Sequence, residues 1–249
     1  LTGGVYSNLT STGPTLSYNP DDYQIRFAVF GDTLAAKVWS TSETEPVDWQ
    51  LKYHDDSYTG GVGGIMLATY STLSWDEVRV AFDDVSLSVI SKSNIWVDDD
   101  WSGKKASIEV GTGKIFGFNA FDNIKDAVNN AVSNASINVA TGLYNEDIAI
   151  AKNLSLLGPK SNTARNTNSS SDWTSSTTAS WTSSDAESAG ESVIRSASAT
   201  IPSGYSQFAT IYIKDGYDVT VKGFVIEARN RTNSDNVHLI HVEATNAAI

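Results

Sequence analysis

Apolar residues in the first ninety positions tend to fall at every second place. Tyr23, Ile25, Phe27 and Val29 share one face of a strand, with Gln24, Arg26 and Ala28 on the other. Gly31-Asp32 supplies a turn before Leu34, Ala36 and Val38 resume the alternation, which predicts a β-hairpin. Trp49, Leu51 and Tyr53 predict a third strand, and the runs at 65–70 and 78–89 predict two more. No segment here keeps a 3.6-residue period, so an antiparallel β-sandwich is expected over residues 1–92.

The pattern changes after that boundary. Phe121, Ile124, Val128, Ala131 and Val132 fall on one helical face, which predicts a helix over about 120–132 with Asn119 as its cap and Asp122 in its first turn. Short aliphatic rows follow: Ile137-Asn138-Val139, Ile148-Ala149-Ile150, Leu154 to Leu157, Ile211-Tyr212-Ile213, Val219-Thr220-Val221, Phe224-Val225-Ile226 and Leu239 to Val242. Each row is brief, alternates, and ends at a Gly, Asn or Asp turn. Rows of this kind bury their apolar side chains by stacking coil on coil, the logic of a parallel β-helix over residues 93–249. Between two of them, residues from about 160 to 189 are almost entirely Ser, Thr, Asn and Asp with Trp173 and Trp181, a composition that predicts a projecting loop without internal order.

Two resemblances carry these patterns further. Phe118 to Val128, followed by Ile137 to Ala140, Gly142 to Glu146, Lys152 to Gly158 and Val219 to Ile226, resembles the entry of a right-handed parallel β-helix of the pectin-lyase-like superfamily. That resemblance implies that the helix at 120–132 plugs the end of the coil stack. Upstream, Gly31 to Trp39, Asp48-Trp49-Gln50, Gly63 to Leu67 and Phe82 to Val85 resemble the second half of a concanavalin A-like or laminin-G-like jelly roll. A complete jelly roll is about twice as long as this stretch, so a larger parent chain is expected. The fold class expected is therefore all-β: a partial antiparallel sandwich, then the first coils of a β-helix with one capping helix.

Composition removes several functions. Seventeen Lys and Arg stand against 29 Asp and Glu, a formal charge of −12. With no basic patch, nothing neutralises a run of phosphates, so nucleic acid and anionic membranes are poor partners. The chain has no cysteine, which excludes disulfide scaffolds, thiol catalysis and Cys-ligated metals. No apolar run approaches the length that spans a bilayer.

Candidate chemistry is sparse. Asp98, Asp100 and Ser102, with Gly103 at the bend and Glu109 beyond, follow the spacing of a calcium loop, in which oxygens at alternate positions wrap one hard cation. Lys104 and Lys105 inside the loop, Ala106 and the preceding strand-like Ile95-Trp96-Val97 depart from that template. Asp83, at the end of a sandwich strand, is a further candidate for calcium. Trp39, Trp75, Trp173 and Trp181 are candidates for stacking on sugar rings. His238 and His241, three apart on a strand, should face opposite sides and so not share a metal. Glu227, Arg229 and Arg231 are charges on the late coils without a nameable acid–base partner.

Together these features lead to an extracellular or cell-surface segment that is structural or adhesive rather than catalytic. Its expected partners are glycans or copies of itself, and calcium is its candidate ion. The alternative is a polysaccharide lyase or hydrolase whose catalytic coils lie beyond residue 249.

Overall fold

A computed structural model describes residues 22–54, 90–163, 182–197, 208–227 and 237–243. The chain is mostly β and divides into two compact units, Leu1–Ile90 and Ser91–Ile249.

The first unit contains an antiparallel sheet of β1 (Tyr23–Phe30), β2 (Thr33–Ser40) and β3 (Leu51–His54) in that order. The hairpin forms at Gly31-Asp32, with Gly31 at φ 61°, so that Phe30 pairs with Thr33 and Tyr23 with Ser40. Burial falls on the less obvious face. Ala28, Phe30, Ala35, Lys37 and Trp39 are buried, whereas Ile25, Phe27 and Val29 are 46%, 50% and 62% exposed. Lys37 tolerates burial because its ammonium meets Glu45 at 2.6 Å and Pro46 O at 3.0 Å and lies 4.8 Å from the centre of the Trp49 ring. Burial pushes the Glu45 carboxyl up, but Lys37 and Arg26 outweigh it and hold the group below the usual carboxylate range. The strands expected at 65–70 and 78–89 lie outside the described residues.

The second unit is built from parallel strands. After β4 (Asn94–Val97), a small antiparallel hairpin of β5 (Glu109–Gly111) and β6 (Lys114–Ile115), and β7 (Ala120–Phe121), the chain enters helix α1 (Ile124–Asn130). Then come β8 (Ala135–Val139), β9 (Gly142–Asn145), β10 (Ile148–Ile150) and β11 (Leu154–Leu157), followed by α2 (Ser183–Ala189) and β12 (Ser192–Arg195). Finally come β13 (Phe208–Ile213), β14 (Val219–Lys222), β15 (Phe224–Glu227) and β16 (Val237–Val242).

From β8 onward, three sheets take the described strands in strict rotation. One has the order β14-β11-β8-β4-β7, the second β15-β12-β9 and the third β10-β13-β16. Successive strands from β8 to β16 therefore visit first, second and third sheet three times over, always in parallel. Register is kept throughout: Ile95, Ile137, Leu156 and Val221 form one column, and Tyr144, Ile194 and Ile226 another. A third column runs Ile148, Ile211, Ile240. Ile95, Ile137, Leu156, Ile194 and Ile211 are fully buried, while Ile240 on the last strand is 40% exposed. Aliphatic side chains thus stack directly on one another at the strand spacing of about 4.8 Å, where β-branched residues pack well.

Helix α1 packs on this core with Ile124, Ala127 and Val128. It is shorter than the 120–132 span, and its cap is Asn123, whose side chain accepts from Asp126 N–H at 2.8 Å. Asn119 is not the cap. It is buried, accepts from Ile115 N–H at 2.7 Å and donates to Gly113 O at 2.9 Å, closing the turn after β6. Asp122 lies before the helix, and the first-turn acid is Asp126. Phe121 belongs to a strand because it pairs with Val97, which fixes its backbone in extended form.

The Ser- and Thr-rich insertion also differs in part from expectation. Its last third contains α2, ordered by a capping box in which Thr182 and Asp185 satisfy each other's backbone N–H groups, and by Gly190 in the left-handed conformation at its end. Ala186 is fully buried, Thr141 donates to Glu187 at 2.8 Å, and Lys160 donates to Ala189 O at 2.8 Å. These contacts supply what composition alone lacks. No helix among the described residues is long and apolar enough to cross a membrane.

Candidate functional site

The acidic stretch after β4 folds as a 3₁₀ turn over Asp99–Trp101. Asp98 caps it, accepting from Asp100 N–H at 3.1 Å. Asp99 reaches across to β9 and accepts from Leu143 N–H at 3.2 Å through one oxygen, while its other oxygen is buried without a partner. Only glycine fits beneath it: Gly142 has φ 151°, and a Cβ there would collide with the Asp99 carboxylate. Burial pushes both the Asp98 and Asp99 carboxyls above the usual carboxylate range, and neighbouring carboxylates add to the effect, Asp100 and Glu187 at Asp98, and Asp100 and Asp98 at Asp99. The Tyr144 hydroxyl, which donates to Ala140 O at 3.1 Å, is likewise pushed up by burial and by Asp99 and Asp98.

Ligating atoms of Asp98, Asp99 and Asp100 lie within 4.8 Å of one another. An all-oxygen donor set of this kind suits a hard cation such as calcium. Its membership differs from the sequence template. Asp99 joins it, and Glu109 does not, because Glu109 lies on β5 and accepts from Gly113 N–H at 2.7 Å within its own hairpin. Ser102 ends the turn, where its N–H donates to Asp99 O at 3.1 Å. Asp83 lies outside the described residues.

Beside this turn is a cleft of about 280 Å³ on the outer face of the five-stranded sheet, lined among others by Trp96, Asp98, Trp101, Lys114, Asn138 and Ser161. Alternation explains Trp96: Ile95 and Val97 point into the core, so the residue between them points out. Register brings Asn138 beside Trp96 and Leu157 beside Asn138. The Lys114 ammonium lies 4.0 Å from the centre of the Trp96 ring and 5.9 Å from that of Trp101. Asn138 donates to Asn94 Oδ1 at 2.7 Å and to Ile95 O at 3.2 Å, which fixes its amide and leaves its oxygen as an acceptor.

Of the tryptophans singled out from the sequence, Trp39 is 8% exposed and buried within its unit, so it presents no face to a ligand. Its position on the buried side of β2 accounts for that. Trp75, Trp173 and Trp181 lie outside the described residues. His238 and His241 come closer than ideal strand alternation allows, with ring centres 5.2 Å apart edge to face, and His241 stacks on Tyr212 at 5.1 Å. Glu227 is held by Arg195 in a two-point contact at 2.7 Å, while Arg229 and Arg231 lie outside the described residues.

Sequence reasoning missed Trp96, Trp101 and Lys114. An outward aromatic between two core aliphatics was a usable signal for Trp96. Nothing local marks Lys114, whose hairpin folds it back over β4, a strand that ends at Val97. Comparison with models of known protein families, with curated proteins and with solved structures finds no match for this chain.

Proposed function

We propose that residues 93–249 form part of a parallel β-helix and that the chain acts as a structural or adhesive segment at the outside of a cell, contacting glycans rather than transforming them. One observation carries this: among the described residues, the nine strands β8 to β16 enter three parallel sheets in rotation and in register. Such a stack is stiff and extends by repetition, and its outer face is a regular array of side chains. In this proposal α1 covers the entry end of the stack, as its packing on the column residues supports. The antiparallel sheet β1-β2-β3 is the corresponding part of a jelly-roll-like sandwich. Calcium enters as an accessory ion at Asp98, Asp99 and Asp100, supported by the buried, partnerless oxygen of Asp99.

The chain's lack of cysteine makes the stack directly testable. Ser136 on β8 pairs with Ser155 on β11, which pairs with Thr220 on β14. Cysteines replacing Ser136 and Ser155 should bridge on mild oxidation, because neighbouring strands lie about 4.8 Å apart, within disulfide reach. Cysteines replacing Ser136 and Thr220, two strands apart, should not. A bridge in the second pair, or none in the first, overturns the stack. Incubation with acidic polysaccharides should yield no unsaturated uronate product in ultraviolet absorbance; its appearance would establish a lyase instead.

A further inference from the structure

The cleft beside the acidic turn holds an unusual set of uncommitted groups. Lys114 makes no ion pair or hydrogen bond with any described residue; its charge rests only on the two indole faces and, at longer range, on Asp98. One carboxylate oxygen of Asp98 caps the turn, and the other has no donor among the described residues. The side-chain oxygen of Asn138 and the hydroxyl of Ser161 likewise have no partner among the described residues. Thus one cation, one anion, an acceptor and a hydroxyl line the same space, flanked by half-buried Trp96 and Trp101. Fold stability does not account for this arrangement, since an ammonium left without an ionic partner over a sheet face contributes little beyond its contact with the indoles.

We infer that this cleft is a subsite for one neutral hexopyranose unit of a glycan. The inference rests on the glycan-contacting function proposed above and names its location and ligand class. Volume argues first. At about 280 Å³ the cleft lies at the lower bound of small-ligand sites, room for a single ring rather than a peptide stretch or a dinucleotide. Chemistry argues second. A pyranose has an apolar C–H face for an indole and a rim of hydroxyls that both donate and accept. Asp98 and Asn138 accept from such a rim, Lys114 donates to it, and Ser161 does either. Charge argues third. Lys114 is offset by Asp98, with Asp100 and Glu187 close enough to act on Asp98, and the whole chain carries −12. With no calcium on the acidic turn, a uronate or a sulfated sugar would bring its negative charge towards three carboxylates and gain one ammonium.

Titration of the full chain, kept free of calcium by a chelator, with cellotetraose, mannotetraose and galactotetraose, followed by tryptophan fluorescence and calorimetry, tests this. Tetragalacturonate is the charged comparator and glycine the zwitterionic one. At least one neutral tetrasaccharide should shift the tryptophan emission and bind, with Trp101→Ala and Lys114→Met each weakening it by about tenfold or more. Lys114→Met keeps the aliphatic stem, so it reads the ammonium without opening the hairpin, and circular dichroism of both variants should match the parent. Absence of binding by all three neutral sugars at millimolar concentration overturns the inference. So does binding that both variants retain, or tighter binding of tetragalacturonate or glycine. Should Ser136 and Ser155 bridge as cysteines while no sugar binds, the stack stands and this subsite alone fails.

Discussion

Asp99 shows how one side chain can set a pH response. It occupies a place only a glycine partner allows, spends one oxygen on Leu143 N–H and leaves the other buried and unpaired. Asp98, Asp99 and Glu146 all have carboxyl groups pushed above the usual range, chiefly by burial. An acid whose folded-state pKa is raised contributes stability that is complete below its unfolded value and is lost as pH rises through the folded one. The second unit should therefore melt higher as pH falls from neutral towards about 5, before general acid unfolding begins. Asp99→Asn should flatten that rise and increase the melting temperature at neutral pH by a few degrees, about 1 kcal/mol, because the amide removes a poorly solvated charge. Calcium should raise the melting temperature of the parent and leave that of Asp99→Asn unchanged. Differential scanning calorimetry across pH, with and without chelator, reads all of these.

Among the elements, α1 depends least on its own propensity. It spans only seven residues, too few for stability in isolation, and is held by groups from the chain that follows β9 and β10. Glu146 accepts from Ile124 N–H at 2.8 Å and from Lys125 N–H at 2.7 Å, and Lys152 donates to Ala131 O at 2.8 Å and Asn129 O at 3.2 Å. Both ends of the helix are thus fastened by charges of the sign its dipole favours. Glu146→Ala should cost about 2 kcal/mol and raise amide exchange at residues 124–128, with β12 to β15 keeping their protection. Lys152→Met should do the same at the other end with a smaller loss, about 1 kcal/mol.

The same elements show what could be read in advance. Alternation marked the aliphatic rows of the columns, where strand period and burial agree; it marked β1 and β2 as strands too but pointed to the wrong face, since Ala28, Phe30, Ala35, Lys37 and Trp39 are the buried residues. It misplaced the start of α1, since Phe121 satisfies a helical face and a strand pairing equally well and only contact with Val97 decides. The helix α2 was written in Thr182, Asp185 and Gly190, but surrounding polarity obscured it. At the candidate site the acidic turn was visible, whereas the cleft was not, because Trp96, Lys114, Asn138 and Ser161 meet through register and a hairpin rather than through spacing. Trp39 failed as a sugar face since aromatic character alone does not distinguish a core residue from a surface one.

For the whole molecule, burial is graded along the stack. Ile148 and Ile211 are sealed, whereas Leu239, Ile240 and Val242 on the last strand are 47%, 40% and 60% exposed. Each unit has its own set of buried residues, and the column residues form one continuous core. Residues 91–249 prepared without the first ninety should keep one cooperative calorimetric transition at the temperature seen for that unit in the full chain. Loss of that transition would show that the core needs the upstream sheet to form.

From β8 onward the longer connections join a strand of one sheet to a strand of the next. The largest departs after Leu157 and re-enters at Ser192, whose strand lies directly beneath Gly142 to Asn145. Its two feet are clamped, one by Gly158 N–H donating to Lys222 O at 2.8 Å and the other by Gly142 N–H donating to Glu191 O at 3.0 Å. A segment anchored in this way can change length or sequence without disturbing the rows on either side. The parallel sheets thus offer a mounting bracket: unrelated peptides grafted between those feet would be held at a fixed separation and displayed to the surroundings.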